Sequence, residues 1–287
     1  MTELRERMVV VGAGTMGHGI AQVSAMKGME VVLVDRNEEV LKKALDAVRA
    51  NLEKGVKRGK VEASVRDEAL TLISTTTDLE GACTGARWAV EAVPEKLEIK
   101  KAIFEQLDQY MPHNAYIASN TSSMSITQLG SFMSRPERLI GLHFFNPVHI
   151  MKLLEIVVGH LTSDATLDAA RTLGERLGKT TITVRDMPGF ATSRLGIATG
   201  MEAIRMVEEG VASAQDIDTA MELGYRWPMG PLKLTDLVGL DVRLAITEHL
   251  YHELGTDTFR PPQLLKQLVR AGKLGKKSGQ GFYSWED

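Results

Sequence analysis

Three glycines near the start of the chain have a spacing that can hold a phosphate group. Gly12, Gly14 and Gly17 follow the apolar run Met8–Val11 and precede a helical pattern. At this spacing the first glycine allows a tight turn, the second lets the backbone approach a pyrophosphate, and the third permits close packing of helix on strand. Unpaired N–H groups at the start of the helix then attract the anion. The loop is therefore predicted to bind a dinucleotide.

An acidic residue stands where such a loop needs one. Asp35 lies 23 residues after Gly12, at the end of a second apolar run. A carboxylate there accepts hydrogen bonds from the adenine ribose and repels a 2′-phosphate, which favours NAD over NADP. The neighbouring Arg36 leaves NADP open as a second possibility. Thr15 and Met16 lie inside the loop and are taken as further cofactor contacts. The alternative for the loop and Asp35 together is a glycine turn beside a charged strand end, without a bound cofactor.

A histidine and a glutamate in the middle of the chain are suited to proton transfer. His143 lies in the predicted strand Leu139–Phe144. Histidine is the natural base near neutral pH, and a base of this kind needs a carboxylate to orient its ring. Glu155 lies in an apolar run, where an unpaired carboxylate is unfavourable, and a turn at Asn146-Pro147 would place the two runs side by side. From these residues alone, a structural core histidine beside an edge glutamate is equally well supported.

The elements that position these residues alternate short apolar runs with helical patterns, which is typical of a parallel sheet covered by helices. The predicted strands are Met8–Val11, Glu30–Val34, Leu72–Thr75, Trp88–Val93, Ala115–Ser119, Leu139–Phe144, Leu153–Val158 and Thr180–Val184. Helices are predicted over Met16–Lys27 and, behind a Ser163 cap, up to Leu177. The pattern indicates an α/β, Rossmann-type doubly wound sheet.

Two further helices form a predicted hairpin inserted into this sheet. Asn37 is a candidate N-cap for the first, which Gly55 and Gly59 are expected to end. The second is expected to start behind Ser64, with Asp67 completing a capping box.

The pattern changes after residue 186, where β-type alternation stops. The segments Gly189–Glu209, Ala214–Leu223, Leu232–Leu254 and Gln263–Ala271 all read as helices. We therefore predict two domains, residues 1–186 with the nucleotide-binding sheet and residues 187–287 as an all-helical C-terminal domain.

Composition excludes several other classes of function. The 287 residues carry a net charge of -3, which gives no support for binding to nucleic acid or a membrane surface. A single cysteine, Cys83, rules out an internal disulfide, and a cytoplasmic location is expected. His249 and His252 lack an accompanying carboxylate motif, so no metal site is predicted.

The motifs taken together resemble those of the L-3-hydroxyacyl-CoA dehydrogenases, and most closely the short bacterial 3-hydroxybutyryl-CoA enzymes of that family. The similarity runs over nearly the whole chain, in the segments VGAGTMG, VEAVPEKLEIK, ASNTSS, GLHFFNPV, MKLLEIV, MPGFATSR, PMGPLKLTDLVGLD and GKKSGQGFYSW. The resemblance implies interconversion of an (S)-3-hydroxyacyl-CoA and its 3-ketoacyl-CoA by hydride transfer to or from NAD. It also implies a homodimer formed through the helical domain.

Carried over by position, the resemblance assigns a role to individual residues. His143 is implied as general base, Glu155 as its partner, and Ser122 as the residue that hydrogen-bonds the substrate's C3 oxygen and contacts the cofactor. Asn146 is implied to line the nicotinamide site. The other implied cofactor contacts are Glu95, Lys100 and Lys277, and the implied coenzyme A contacts are Asn51 and Arg58. Lys54 is added to the predicted substrate-binding residues because it belongs to a basic cluster with Arg58.

The chain departs from the family pattern at one position. The family usually has asparagine where this chain has Ser193, and that asparagine positions the substrate and the catalytic histidine. Serine reaches less far, which predicts a slower or differently tuned enzyme.

Two rival functions are kept: a dehydrogenase of the same fold acting on a free hydroxy acid, and a non-catalytic NAD-binding scaffold. The basic residues Lys54, Lys57, Arg58 and Lys60 favour a CoA ester, and a solvated helix face is their alternative explanation.

Overall fold

The computed structural model describes residues 5–285 of the chain. The chain divides into two compact units, the first ending at Met187 and the second beginning at Pro188. The predicted boundary lies one residue earlier.

The first unit is built on an eight-stranded sheet, and every strand predicted from the sequence is present in it. The strands are β1 (Arg7–Val11), β2 (Glu30–Val34), β3 (Ile73–Thr76), β4 (Trp88–Glu91), β5 (Tyr116–Ser119), β6 (Leu139–Phe144), β7 (Leu153–Val158) and β8 (Thr180–Arg185). Their order is β3-β2-β1-β4-β5-β6-β7-β8, and the pairs are parallel except for the antiparallel pair β6 and β7. The first six strands follow the doubly wound dinucleotide-binding order, which confirms the predicted fold class.

Burial on both faces explains why the central strands read as apolar runs. Met8 to Val11 and Val31 to Val34 are buried, as expected for parallel strands covered by helices on two sides. By contrast, β8 lies at the edge of the sheet and has no fully buried residue. The alternation of exposed and partly buried residues in β8 is therefore that of an edge strand.

Seven α-helices accompany the sheet in the described part of the first unit. They are α1 (Thr15–Ala25), α2 (Glu38–Lys57), α3 (Ala63–Leu72), α4 (Leu79–Cys83), α5 (Leu97–Tyr110), α6 (Ile126–Gly130) and α7 (Asp164–Arg176). The sequence analysis missed α4, α5 and α6.

The helix caps confirm some predictions and correct others. Asn37 caps α2 by accepting hydrogen bonds from the N–H groups of Glu39 and Val40, and Ser163 caps α7. The expected break at Gly55 is wrong, because α2 continues through it to Lys57 and the chain turns at Gly59 with φ +63°. The Ser64 cap is also wrong, since α3 already begins at Ala63 without a side-chain cap.

The second unit is helical, as predicted. It contains α8 (Thr192–Glu208), α9 (Ala214–Thr219) with a π-helical turn at Ala220–Gly224, α10 (Pro231–Val238), α11 (Leu240–Leu254) and α12 (Gln263–Arg270). The single helix predicted over Leu232–Leu254 is two helices, because Gly239 adopts φ +103° between them. The first helix of this unit begins at Thr192, three residues after its predicted start at Gly189.

A buried aspartate anchors the last described residues of this unit. Asp236 is fully buried and accepts hydrogen bonds from the backbone N–H groups of Phe282 and Tyr283 and from Nε1 of Trp285. The sequence patterns had not singled out this residue. Among the described helices, none is both long and apolar enough to cross a bilayer.

Candidate active site

The glycine loop between β1 and α1 has the backbone that its sequence predicted. Gly12 adopts φ +100° and donates its N–H to the carbonyl of Val34 at 2.7 Å. A Cβ at Gly12 would lie 2.6 Å from the Ala92 carbonyl oxygen, and one at Gly17 would lie 1.7 Å from the Gly12 carbonyl oxygen. At Gly14 a Cβ would meet nothing within 4 Å. The outer two glycines are therefore needed for packing, and the middle one leaves the face of the loop open to a ligand.

Asp35 is held against this loop by backbone donors. Its Oδ2 accepts the N–H of Ala13 at 2.9 Å and its Oδ1 accepts the N–H of Asn37 at 3.1 Å. Each carboxylate oxygen keeps a further lone pair for a hydroxyl group. Helix α1, which Gly14 precedes, has no side-chain cap, so its first N–H groups remain available. Together these groups suit the pyrophosphate and ribose of NAD.

The predicted acid–base pair is brought together by the antiparallel strands. His143 on β6 and Glu155 on β7 are direct cross-strand partners, and Nδ1 of His143 lies 2.6 Å from Oε2 of Glu155. Glu155 is fully buried and His143 is 6% exposed. The ring of Phe145 lies against the imidazole, with 4.5 Å between ring centroids. This arrangement can orient an imidazole and stabilise its protonated form.

His143 lines a cavity of about 350 Å³ at the carboxyl ends of the parallel strands. The lining residues are Met16, Ala92, Val93, Pro94, Glu95, Lys100, Asn120, Ser122, His143, Phe144, Phe145 and Asn146. Of the residues predicted to act in the site, the structure thus brings together the base, Ser122, Asn146, Met16, Glu95 and Lys100. Crevices at this edge of open α/β sheets are the usual ligand sites.

Two of the lining residues that the sequence analysis did not select make specific contacts. Asn120 accepts the backbone N–H of Phe144 through its Oδ1 at 3.0 Å, which ties the loop after β5 to β6. Phe145 packs on the imidazole of His143. Both lie in motifs that the sequence analysis quoted, next to residues that it chose, so position alone could have drawn attention to them.

Glu95 holds the loop that carries Ser122. Its Oε1 accepts the hydroxyl of Thr121 at 2.7 Å and the backbone N–H of Ser122 at 2.9 Å. Its Oε2 lies 3.1 Å from Nζ of Lys100. Glu95 is exposed enough for its carboxylate to contact a ligand in the cavity as well, since 39% of the side chain is accessible.

Lys100 is almost fully buried, and its main partner is Glu91, a residue that the sequence analysis did not single out. Nζ of Lys100 lies 2.7 and 2.8 Å from the two carboxylate oxygens of Glu91. Glu91 also accepts the hydroxyl of Ser119 at 2.6 Å and the N–H of Val93 at 2.8 Å. Burial raises the pKa of Glu91, and the ammonium of Lys100 opposes that rise. Lys100 thus reaches the cavity wall with its charge engaged by carboxylates.

A second and larger cavity, of about 790 Å³, lies beside the helical hairpin. Its lining includes the predicted residues Asn51, Lys54 and Arg58, and it shares Asn146 with the first cavity. Lys57 is not among the residues that line it. Lys60, from the predicted basic group, also lines it. The lining further includes the cationic or ionisable His18, His149 and Lys152, which the sequence analysis did not select. A concentration of cations in a cleft suits a phosphorylated ligand.

One of these residues, His149, has a shifted pKa. Burial lowers the pKa of His149 first, and the charges of His18, Lys179 and Lys54 lower it further. Nζ of Lys179 is itself fixed by the carbonyls of Val148 and Met151, at 2.5 and 2.7 Å. The wall of the larger cavity is therefore electropositive.

Two predicted site residues lie in the second unit. Ser193 is the second residue of α8, and Lys277 donates from Nζ to Oδ2 of Asp241 at 2.6 Å. Their assigned roles stay predictions.

The histidines and the cysteine that the sequence analysis set aside lie as follows. His249 and His252 are exposed, and no group of three or more metal-ligating side chains occurs among residues 5–285. Cys83 ends α4 and is fully buried, and burial raises the pKa of its thiol to about 12. At neutral pH this thiol is protonated and unreactive.

Comparison with known proteins shows the family. Residues 7–187 match the family described as 3-hydroxyacyl-CoA dehydrogenase, NAD binding domain, and residues 189–285 match 3-hydroxyacyl-CoA dehydrogenase, C-terminal domain. The chain is 42% identical to 3-hydroxybutyryl-CoA dehydrogenase of Clostridioides difficile over 97% of this chain and 99% of that protein. It is 40% identical to the mitochondrial hydroxyacyl-coenzyme A dehydrogenase of Sus scrofa, over 99% of this chain and 92% of that protein.

A solved structure agrees with these matches. The (S)-3-hydroxybutyryl-CoA dehydrogenase of Ralstonia eutropha superposes with a TM-score of 0.95 at 40% identity, covering 99% of this chain and 100% of the other. The NAD-binding loop, the paired His143 and Glu155, and both family domains are thus present in one chain. The chain belongs to the 3-hydroxyacyl-CoA dehydrogenase family and is an NAD-dependent oxidoreductase.

Proposed function

We propose that this chain interconverts a short-chain (S)-3-hydroxyacyl-CoA, such as (S)-3-hydroxybutyryl-CoA, and the corresponding 3-ketoacyl-CoA. The observation that carries the proposal is the pairing of His143 with the fully buried Glu155 on the wall of a cavity that also contains Ser122 and Asn146. The names of the relatives from Clostridioides difficile and Ralstonia eutropha support the short acyl chain.

The first unit has the groups needed to hold NAD. The loop at Gly14 and the carboxylate of Asp35 suit its adenosine diphosphate half, and Glu95 and Asn146 suit the nicotinamide half. When bound, NAD accepts or supplies the hydride at C4 of its nicotinamide ring, and the protein contributes position and proton handling.

His143 is proposed as the general base of the oxidation. It removes the proton of the substrate's 3-hydroxyl group and returns it in the reverse reaction. Glu155, with Oε2 at 2.6 Å from Nδ1, fixes the ring and stabilises the imidazolium that forms. The hydroxyl of Ser122 is proposed to donate a hydrogen bond to the oxygen on C3, where negative charge develops during reduction of the ketone.

The larger cavity is proposed to hold coenzyme A. Lys54 and Arg58 provide positive charge for its phosphates, and Asn51, whose Nδ2 donates to Oε1 of Gln22 at 3.3 Å, contributes polar contacts. Because Asn146 lines both cavities, an acyl group leaving the larger cavity would enter the smaller one beside His143.

We also propose a homodimer formed through the helical unit and a cytoplasmic location. Large apolar side chains are exposed in this unit, including Leu223 at 79% and Tyr225 at 75%. An apolar surface of this kind is typical of an interface. Light scattering on the purified protein tests the dimer, and cell fractionation tests the location.

One assay tests the proposed function directly. Acetoacetyl-CoA should be reduced with oxidation of NADH, and free acetoacetate should be a far poorer substrate. Equal use of the free acid would favour the hydroxy-acid alternative. Tight NADH binding without any turnover would favour a non-catalytic scaffold.

A further inference from the structure

Helix α1 borders both cavities of the first unit. Its N-terminal end follows the glycine loop, and Met16 in its first turn lines the smaller cavity. The residues of α1 and its C-cap that line the larger cavity are Thr15, His18, Gly19, Gln22 and Met26. The helix therefore connects the loop that suits NAD with the cleft proposed to hold coenzyme A.

His18 is hydrogen-bonded to the glycine loop through its ring. Nδ1 of His18 lies 2.9 Å from the carbonyl oxygen of Gly14, and the backbone N–H of His18 donates to the same oxygen at 3.1 Å. A carbonyl oxygen only accepts hydrogen bonds, so Nδ1 carries the proton of this bond. The orientation of the imidazole therefore depends on that of the Gly14 peptide, in the part of the loop whose face is open to a ligand.

The second ring nitrogen of His18 can serve a ligand. The side chain is partly buried and lines the larger cavity. Among residues 5–285, the ring of His18 makes its hydrogen bond through Nδ1, which leaves Nε2 without a protein partner. In the imidazolium form both ring nitrogens are donors, so His18 can donate to Gly14 and to an anion in the cavity at the same time.

The larger cavity has the charge pattern of a phosphate site around His18. Burial lowers the pKa of His149, and charges that include those of His18 and Lys54 lower it further, so these three side chains lie within electrostatic range of one another. The other cationic residues that line the cavity are Arg58, Lys60 and Lys152. No acidic side chain is among the described residues that line it. A phosphate bound here would therefore meet positive charge that no carboxylate offsets.

The body of α1 is packed too closely to shift with the loop. A Cβ at Gly19 would lie 2.9 Å from Cβ of Val148, and Oε1 of Gln22 accepts Nδ2 of Asn51 in α2 at 3.3 Å. These contacts fix the helix against the turn between β6 and β7 and against the helical hairpin. A change in the loop therefore reaches the larger cavity most directly through the ring of His18.

We propose that His18 couples the binding of NAD to the binding of the CoA ester, by bridging the Gly14 carbonyl and a phosphate group of coenzyme A. A pyrophosphate bound to the N–H groups of the loop holds the Gly14 peptide in one orientation and, through it, the ring of His18. Nε2 is then preorganised to donate to the phosphate, which removes part of the entropic cost of binding. The imidazolium also reduces the repulsion between the two anionic ligands. This inference rests on the proposed place of coenzyme A in the larger cavity.

The test measures the Kd of free coenzyme A by calorimetry, with and without saturating ADP-ribose. ADP-ribose carries the pyrophosphate of NAD but no nicotinamide, and free coenzyme A carries no acyl group, so both ligands lack the parts that would meet in the smaller cavity. The ratio of the Kd without ADP-ribose to the Kd with it is the coupling factor. We expect a factor of about five or more in the wild type and, by linkage, the same factor in the affinity for ADP-ribose.

Two replacements of His18 each remove one side of the bridge. His18→Asn keeps a donor near the place of Nδ1 but has no group at the place of Nε2, and His18→Gln does the reverse. Both variants should bind ADP-ribose alone as the wild type does, and the coupling factor should fall to about one in each. His18→Gln should retain more affinity for coenzyme A than His18→Asn.

His149→Gln is the matched control, because His149 lines the same cavity and makes no hydrogen bond with the glycine loop among the described residues. It should weaken the binding of coenzyme A and keep the wild-type coupling factor. A wild-type coupling factor of one, or an unchanged factor in His18→Asn, overturns the proposal. An equal loss of coupling in His149→Gln overturns it as well, since the coupling would then belong to the general positive charge of the cavity.

The binding data and the acetoacetyl-CoA assay separate two failures. Turnover of acetoacetyl-CoA by a wild type that shows no coupling would overturn this inference and leave the proposed function intact. If the wild type fails to reduce acetoacetyl-CoA, the proposed function falls, and the Kd of coenzyme A still decides the role of His18. Thermal melting of the variants should match the wild type, because His18 is only partly buried, and this shows that a lost coupling factor does not come from unfolding.

Discussion

His143 and Glu155 face one another across the junction at which the sheet reverses direction, with 2.6 Å between Nδ1 and Oε2. The backbone ladder between β6 and β7 places the two residues directly opposite one another, since they are paired in register. Main-chain hydrogen bonds thus bring the two Cβ atoms to about 4.5–5.5 Å, a separation that the side chains can bridge. The acid–base geometry is thus part of the core of the first unit.

Replacing either His143 or Glu155 should lower kcat and leave the affinity for NADH unchanged. His143→Ala is expected to lower kcat at least about a hundredfold, the usual contribution of a general base, with NADH affinity retained. Glu155→Gln keeps a hydrogen bond but loses the charge that stabilises the imidazolium, so kcat should also fall, by no more than in His143→Ala, because Glu155 acts through His143. Steady-state kinetics and NADH fluorescence measure both effects. Near-normal turnover of His143→Ala would exclude this residue as the base.

Asp35 should control the choice between NAD and NADP. Its carboxylate is fixed by the N–H groups of Ala13 and Asn37, and it repels a 2′-phosphate. Asp35→Ser removes that repulsion and the bonds to the ribose hydroxyls, while Arg36 remains next to it. The ratio of kcat/KM for NADH to that for NADPH should fall by at least about tenfold. An unchanged ratio would place the selectivity elsewhere.

Neutralising the charges of the larger cavity should weaken binding of the CoA ester and leave the rate of the chemical step unchanged. Lys54→Gln and Arg58→Gln should each raise the KM for acetoacetyl-CoA up to about fivefold, the range for exposed charge pairs, with kcat unchanged. Lys57→Gln is the matched control, because Lys57 lies in the same helix but does not line the cavity. With acetoacetyl-pantetheine, which lacks the nucleotide phosphates, all three variants should match the wild type. Equal rises in KM for Lys57→Gln and Arg58→Gln would indicate that the overall positive charge of this surface attracts the ligand, without specific contacts in the cavity.

His149 should make the affinity for the CoA ester depend on pH. Burial and the charges of His18, Lys179 and Lys54 hold the pKa of His149 below its ordinary value, and a bound phosphate would raise it again. Binding therefore takes up a proton, and the gain in affinity is present at low pH and lost as the pH rises through the pKa of the complex. Because the pKa of free His149 lies below the ordinary value of about 6.5, the KM of the wild type should rise more steeply than that of His149→Gln as the pH rises from about 5 through the ordinary histidine range.

The phosphate of the ligand also titrates in this range, but it does so equally in both proteins. The difference between wild type and variant thus isolates His149. Parallel pH profiles would show that His149 does not contact the phosphates.

Ser193 stands where the family usually has asparagine, and restoring that residue should speed the reaction. Ser193→Asn adds reach and one neutral hydrogen bond, which contributes about 0.5–1.5 kcal/mol, or up to roughly tenfold in kcat. Ser193→Ala, which removes the hydroxyl group, should lower kcat. If Ser193→Asn is slower than the wild type, serine is the better residue for the substrate that this chain uses.

The sheet and the acid–base pair could be predicted because their residues carry strong local patterns. Strands buried on two faces read as apolar runs, and Glu155 was conspicuous as a lone charge in one of them. Helix α5 was missed for the opposite reason. Its buried positions are Lys100, Phe104 and Leu107, and the lysine in the buried stripe disguises the amphipathic pattern.

Contacts between distant residues could not be read from the sequence. Glu91 lies inside the predicted strand Trp88–Val93 and was not singled out, because the Lys100 that pairs with it lies in the missed helix. The break predicted at Gly55 failed because a glycine inside a long helix is tolerated when the turns on both sides are held by other contacts. Ser193 and Lys277 owe their assignments to family resemblance, and no local pattern indicates them.

The antiparallel junction between β6 and β7 also separates what can vary in this protein from what cannot. The turn between the two strands lines both cavities through Phe145, Asn146 and His149, whereas the ladder that the turn closes places His143 opposite Glu155. His149, which touches neither member of the pair in the ladder, can therefore be exchanged to reshape the larger cavity while the register of His143 and Glu155 is kept. Phe145 cannot be exchanged in the same way, because its ring lies against the imidazole of His143.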